Sequence, residues 1–175
     1  MINETFCNAL LTSSTTATFN WQINAMRRST LADRVSGRNV TPERALRGVT
    51  LLIAELAGLT FPAAIRCGAL PASAATGYAV TLQGNGKREN IDATSFDISL
   101  YGRDTDAQTL LGVAAKLAAK LPLPLGVTIQ DSVLTQRVGI AQLSCGKVKI
   151  ENVGAKSSAP CTLTVELTAE IMQGV

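Results

Sequence analysis

Asp104 and Asp106, two carboxylates one residue apart ahead of an apolar helical run, are the side chains best spaced to trade protons or hold a cation. They also have a plainer use. Acidic groups at a helix start satisfy its unpaired amide donors and complement its dipole. Thr105 and Gln108 fit a capping box at the same place, so the spacing predicts helix entry and no proton chemistry. The chain contains no histidine, which removes Ser–His and Cys–His nucleophile pairs. Cys7, Cys67, Cys145 and Cys161 have neither CxxC spacing nor histidine partners, and are expected to be reduced, small buried hydrophobes with no metal. Gly84-Asn85-Gly86-Lys87 has the look of a phosphate loop, but Arg88 stands where a Walker-type loop needs serine or threonine. A hairpin loop over 84–90 is the expectation there. Asp92 and Asp97 read as solvated carboxylates, and no GxSxG, GxGxxG or HExxH pattern occurs. The residues predict a protein that is not an enzyme and takes no cofactor.

Arginine offers a different chemistry. Between residues 25 and 50, Arg27, Arg28, Arg34, Arg38, Arg44 and Arg47 oppose only Asp33 and Glu43, a balance suited to phosphate or to an acidic protein surface. Apart from Trp21, the aromatics that would stack on bases are missing from the neighbourhood. A nucleic-acid-binding module using residues 27–47 is therefore the alternative expectation, behind a solvated or interfacial arginine face. The net charge of +3 is too small to imply nucleic acid by itself.

The elements that position these groups follow from composition and period. The 175 residues suit one domain; 46% are hydrophobic, 17% charged and 4% aromatic, so the core must be aliphatic and much of the surface uncharged. A surface so lean in charge suits a chain that buries area in an assembly, and equally an ordinary domain with a neutral exterior. The first residues lack the basic start and apolar run of a signal peptide, and no stretch is long and apolar enough for a membrane span. Residues 2–11 predict a short helix and 15–19 an extended piece. Residues 24–40 predict a loop or arm that orders on contact. Thr41, Pro42 and Glu43 open a helix whose apolar stripe is Ala45, Leu46, Val49, Leu52, Ile53 and Leu56, closed by Gly58. Gly48 inside it costs ~1 kcal/mol relative to alanine and marks either close packing or a tolerated mediocre residue.

Strands are expected near 64–67, 78–83 and 94–101, with Gly102 permitting a turn into a second helix over 105–121. That helix is expected to turn Leu110, Leu111, Val113, Ala114, Leu117, Ala118 and Leu121 inward, and Ala114, Ala115, Ala118 and Ala119 give it a slim side for a sheet. Pro122 and Pro124 enforce an extended exit. Strands over 127–133, 137–143, 147–153 and 161–172 follow, the last with strict alternation at Leu163, Val165, Leu167, Ala169 and Ile171. The predicted fold is α+β: a mainly antiparallel sheet with two long helices packed on one face (41–175), preceded by an N-terminal extension or arm (1–40).

Across residues 42–172 this pattern resembles the tail terminator or minor capsid (tail-completion) proteins of tailed bacteriophages. The likeness is carried by the apolar helix over 45–56 and the strand pair over 64–83. It is carried further by Phe96-Asp97-Ile98-Ser99-Leu100-Tyr101-Gly102-Arg103-Asp104 running into an alanine- and leucine-rich helix, and by the last strand over 163–171. Residues 1–40 depart from the compact form of that family. The resemblance implies a virion structural protein that caps the end of a tail tube and joins it to the head-connector side, with another head–tail joining or tail protein as the alternative. It also implies assembly into a ring, commonly hexameric, with tail tube and connector proteins as partners, and a location in the virion after assembly in the host cytoplasm. Exposure and polarity nominate Arg27, Arg28, Arg34, Arg38, Lys87, Arg88 and Lys156 as partner-interface residues, with DNA contact as the alternative use and no membrane contact.

Overall fold

The computed structural model describes residues 40–88, 93–123, 126–131, 136–153 and 159–172. Helix α1 (Pro42–Ala57) begins where its local chemistry says it should. The Thr41 side chain accepts from the Arg44 amide, proline occupies the first turn, and Gly58 closes the helix in the left-handed region at φ 70°. Then come β1 (Ile65–Cys67), β2 (Gly77–Arg88), β3 (Ala93–Asp104), α2 (Ala107–Lys120), β4 (Val127–Asp131), β5 (Gln136–Glu151) and β6 (Cys161–Met172). Their order in one sheet is β1-β2-β3-β6-β5-β4, antiparallel throughout except for the parallel β1–β2 pair. The expected α+β architecture with a mainly antiparallel sheet and two helices is what the described residues form. Residues 1–39 of the expected arm lie outside them, and Val40 packs into the core.

The alternation in β6 sets the two faces. Cys161, Leu163, Val165, Leu167, Ala169 and Ile171 are buried under the helices, while Glu166 and Thr168 point to solvent. An unbroken ladder from Ala93↔Met172 to Asp104↔Cys161 carries this pattern into β3, where Phe96, Ile98 and Leu100 face the same core.

The sheet also curls. Laid flat, its edge strands β1 and β4 would stand about 24 Å apart, five spacings of ~4.8 Å, whereas a helix is only about 10 Å across. Yet α1 packs against β1, β2, β4 and β5. One turn of it reaches both edges: Cys67 of β1 donates to Thr50 at 3.3 Å, and Arg47 pairs with Asp131 of β4. The Arg47 guanidinium also lies 5.0 Å from the centre of the Phe61 ring, just ahead of β1. Helix α2 covers the middle of the sheet, on β3, β5 and β6.

Several expectations are corrected. Strand β3 runs on through Asp104, so α2 starts at Ala107, and its cap is Asp106, not Thr105: the Asp106 carboxylate accepts from the Gln108 amide at 3.0 Å while Asp104 accepts from the Asp106 amide at 2.9 Å. Gly102 makes no turn. It sits in β3 opposite Tyr78, and a Cβ there would fall 2.7 Å from the tyrosine ring, so its role is to admit that ring. Residues 84–88 are not a loop but the end of β2, which continues past a register shift between Gln83 and Lys87 with Gly84 at φ 79°. The strands expected over 137–143 and 147–153 are one strand, β5, bent by register shifts at Ile140/Gln142 and Cys145/Val148. Leu111 and Ala118, expected inward on α2, are exposed; the inward stripe is Leu110, Val113, Ala114 and Leu117.

Candidate assembly surface

Helix α2 advances about 100° per residue. With Leu110, Val113, Ala114 and Leu117 buried, the opposite 120° or so carries Gln108, Leu111, Gly112, Ala115, Ala118 and Ala119, all exposed. None is charged, and Leu111 is 44% exposed. The two lysines of the helix, on its flank, turn away to another task. Lys116 and Lys120 donate to the carbonyls of Ala57 (3.2 Å) and Leu56 (2.8 Å), the last residues of α1, which has no basic residue in its own last turn. A cation at a helix C-terminus satisfies orphan carbonyls and complements the dipole. The consequence for α2 is an outer face of small, uncharged side chains.

The sheet edges form a second surface. Strand β4 covers β5 only from Gln136 to Ile140, and the Leu123 amide adds one bond to the Leu143 carbonyl at 3.2 Å. Beyond that, among the described residues, the outer edge of β5 has no strand beside it. Lys147 and Lys149 stand on this stretch, lysine being a usual guard of an open edge. Lys149 pairs with Glu151 at 2.6 Å; both are more than half exposed, so the pair adds little stability.

The nominated interface residues fare unevenly. Arg27, Arg28, Arg34, Arg38 and Lys156 lie outside the described residues. Lys87 is exposed at the end of β2, and Arg88 closes that strand. They are consecutive in that strand, and nothing described brings them to the α2 face. Two arginines of the basic run serve the fold instead. Arg44 donates to the Arg137 carbonyl, and Arg47 holds Asp131 through both nitrogens of its fork, Nη2 to Oδ1 at 3.2 Å. The hydrogen bond to Asp131 raises the Arg47 pKa further above its ordinary value, against the opposing effect of burial. Asp104 and Asp106, the pair with apparent chemical potential, are occupied in capping.

The α2 face was missed in the sequence because alanine suits a close helix–sheet contact and an exposed position equally. The signal that finds it is angular. Leu110, Val113, Ala114 and Leu117 already complete an inward stripe at steps of three and four, which leaves Leu111 and Ala118 one step off it. Among the described residues no helix is long and apolar enough to cross a membrane, and no group of three or more Cys, Asp or Glu is placed to hold a metal.

No protein-family model matches the chain, and no curated protein matches it. Among solved structures, the chain is similar to a component of the virion of a native gene transfer agent particle, at 15% identity over 69% of this chain and 84% of the other, with a TM-score of 0.41. At that distance the likeness transfers no function.

Proposed function

We propose that this chain is a structural protein of a phage-like virion that works by self-assembly, its copies forming a ring that caps a tail tube and joins it to the head-connector side. The observation that carries the assembly reading is the outer face of α2, where Leu111, Gly112, Ala115, Ala118 and Ala119 meet solvent with no charge among them. Small side chains let a second helix approach to about 8 Å, so identical copies can bury this face at low conformational cost. The tail assignment itself rests on the resemblance carried by residues 42–172. Arg27, Arg28, Arg34, Arg38, Lys87, Arg88 and Lys156 are the proposed contacts to tube and connector proteins, in the virion and during assembly in the host cytoplasm.

Light scattering on a sizing column tests the reading. The protein should run as a ring, or as a monomer–ring mixture that shifts with concentration. Ala115→Arg, at an exposed position, should run as a monomer with unchanged far-ultraviolet circular dichroism. A wild-type monomer at every concentration and salt sinks the assembly reading. The nucleic-acid alternative predicts something else: with Arg44 and Arg47 engaged in the fold, the four remaining arginines give roughly a 10²-fold affinity loss between 50 and 200 mM salt.

A further inference from the structure

The connection between β1 and β2 is prepared for burial. Residues 67–86 contain no charged side chain, although 17% of the chain is charged. Within this stretch, residues 69–76 form a loop that is exposed apart from Leu70 and Ala74. An exposed loop ordinarily leaves its carbonyls to water. Here three are satisfied from within. The Ala74 amide donates to the Pro71 carbonyl at 3.0 Å, and Arg103 Nη1 donates to the carbonyls of Ala72 at 3.2 Å and Ala74 at 2.9 Å. The guanidinium in turn stacks 5.9 Å from the centre of the Tyr101 ring. Such pairing has its main effect where water is excluded, because a desolvated carbonyl without a partner is costly. A loop held in this way also loses little conformational freedom on docking.

The place of the loop in the fold says what covers it. Successive residues of a strand face opposite ways. In β3, Gly102 faces α2, the direction of its missing Cβ ending 3.3 Å from Leu110 Cδ2, whereas Arg103 holds the loop on the other side of the sheet. Two uncharged surfaces therefore lie on opposite sides of the sheet, the outer face of α2 and the loop. Contact of α2 with α2 pairs two copies and stops there. A ring needs two different patches that meet head to tail.

We infer that the turn at 71–74 of one copy docks on the outer face of α2 in the next. Gly112, Ala115 and Ala119 recur there at steps of three and four, a shallow uncharged track along the helix. Asp97 and Glu166, exposed on the loop's side of the sheet, are poor substitutes for the turn: laid on α2 they would be desolvated with no opposite charge to meet. The inference rests on the ring reading above and adds which two surfaces make the contact.

The test mixes two full-length variants, Ser73→Cys and Ala115→Cys, one of them isotopically labelled, oxidises the mixture and maps the disulfides by peptide mass spectrometry. Light scattering on the reduced proteins reports assembly. The expected result is a 73–115 disulfide joining labelled to unlabelled chains. Ser73→Glu, at an exposed position, should raise the concentration at the monomer–ring midpoint at least ~10-fold, its charge being buried unpaired, with unchanged circular dichroism. Assembly without the 73–115 disulfide, or with a midpoint unmoved by Ser73→Glu, overturns the inference and leaves the assembly reading standing. A monomer at every concentration overturns both.

Discussion

Two glycines sit inside the described helices, and the same substitution should have opposite effects at them. Alanine is favoured over glycine in a helix interior by about 1 kcal/mol, so Gly48→Ala would stabilise α1 if propensity ruled. At Gly48, however, an added Cβ falls 2.7 Å from Val138 Cβ, 2.8 Å from its Cγ1 and 2.9 Å from its Cγ2. Carbon atoms prefer about 3.5–4.0 Å, so the deficit is near 1 Å on three atoms at once. Val138, only 3% exposed, is buried within β5, and α1 is fastened close to it by Arg44 to the Arg137 carbonyl and by Arg47 to Asp131. Relief means lifting the helix against both. With three atoms overlapped at once, the cost falls in the upper part of the usual overpacking range, roughly 2–3 kcal/mol, which outweighs the propensity gain and leaves Gly48→Ala destabilising by about 1–2 kcal/mol. Gly112, on the outer face of α2, has nothing within 4 Å of the corresponding Cβ. In the monomer, Gly112→Ala should therefore keep the whole gain of about 1 kcal/mol. Urea denaturation of both variants beside the parent, with unchanged slopes, reads the two signs directly. If Gly48→Ala proves as stabilising as Gly112→Ala, the close approach of α1 to β5 is wrong.

Arg47 should behave as the tie between the two sheet edges. Arg47→Met keeps an apolar stem near Phe61 but leaves the Asp131 side chain, 7% exposed, without its arginine. The arginine is itself 26% exposed, which lowers the cost of a buried broken pair to about 2 kcal/mol. A double-mutant cycle with Asp131→Asn should give a coupling of similar size, and additivity within ~0.5 kcal/mol would deny the tie. Tyr78 gives the pH dependence. Its hydroxyl is buried with no hydrogen-bond partner among the described residues, and burial, then the Asp104 carboxylate, raises its pKa. A phenol raised in the folded state keeps its proton while the unfolded chain loses it, so its contribution is whole below pH ~10 and fades as pH climbs through the folded value. Tyr78→Phe should raise stability by about 1 kcal/mol at neutral pH and remove that alkaline loss. A clear destabilisation at pH 7 would mean the hydroxyl is bonded after all.

The local elements were legible because their causes are local. Thr41, Pro42 and Gly58 cap α1 through their own backbone neighbourhood, and the two-residue period over 163–171 turns one side of β6 inward wherever the strand lies. The arginine run and the glycine-rich stretch were legible only as types. That Arg44 and Arg47 serve the fold, that Gly84 lies in a bent strand and that Gly102 admits a tyrosine ring all depend on residues 8 to 93 positions away. The α2 face failed for a different reason. Alanine carries too little side chain to prefer core or solvent, so the exposure of Ala115, Ala118 and Ala119 was decided by the leucines and valine around them and by where the sheet lies. The sequence by itself determined two capped helices, a mostly antiparallel sheet with one apolar face, and a chain without histidine chemistry. Only the tertiary structure decided the curl that brings β1 and β4 onto one turn of α1. Strand pairing fixes neighbours through backbone hydrogen bonds, whereas curvature is set by side-chain packing summed across the whole sheet, a quantity no local window contains.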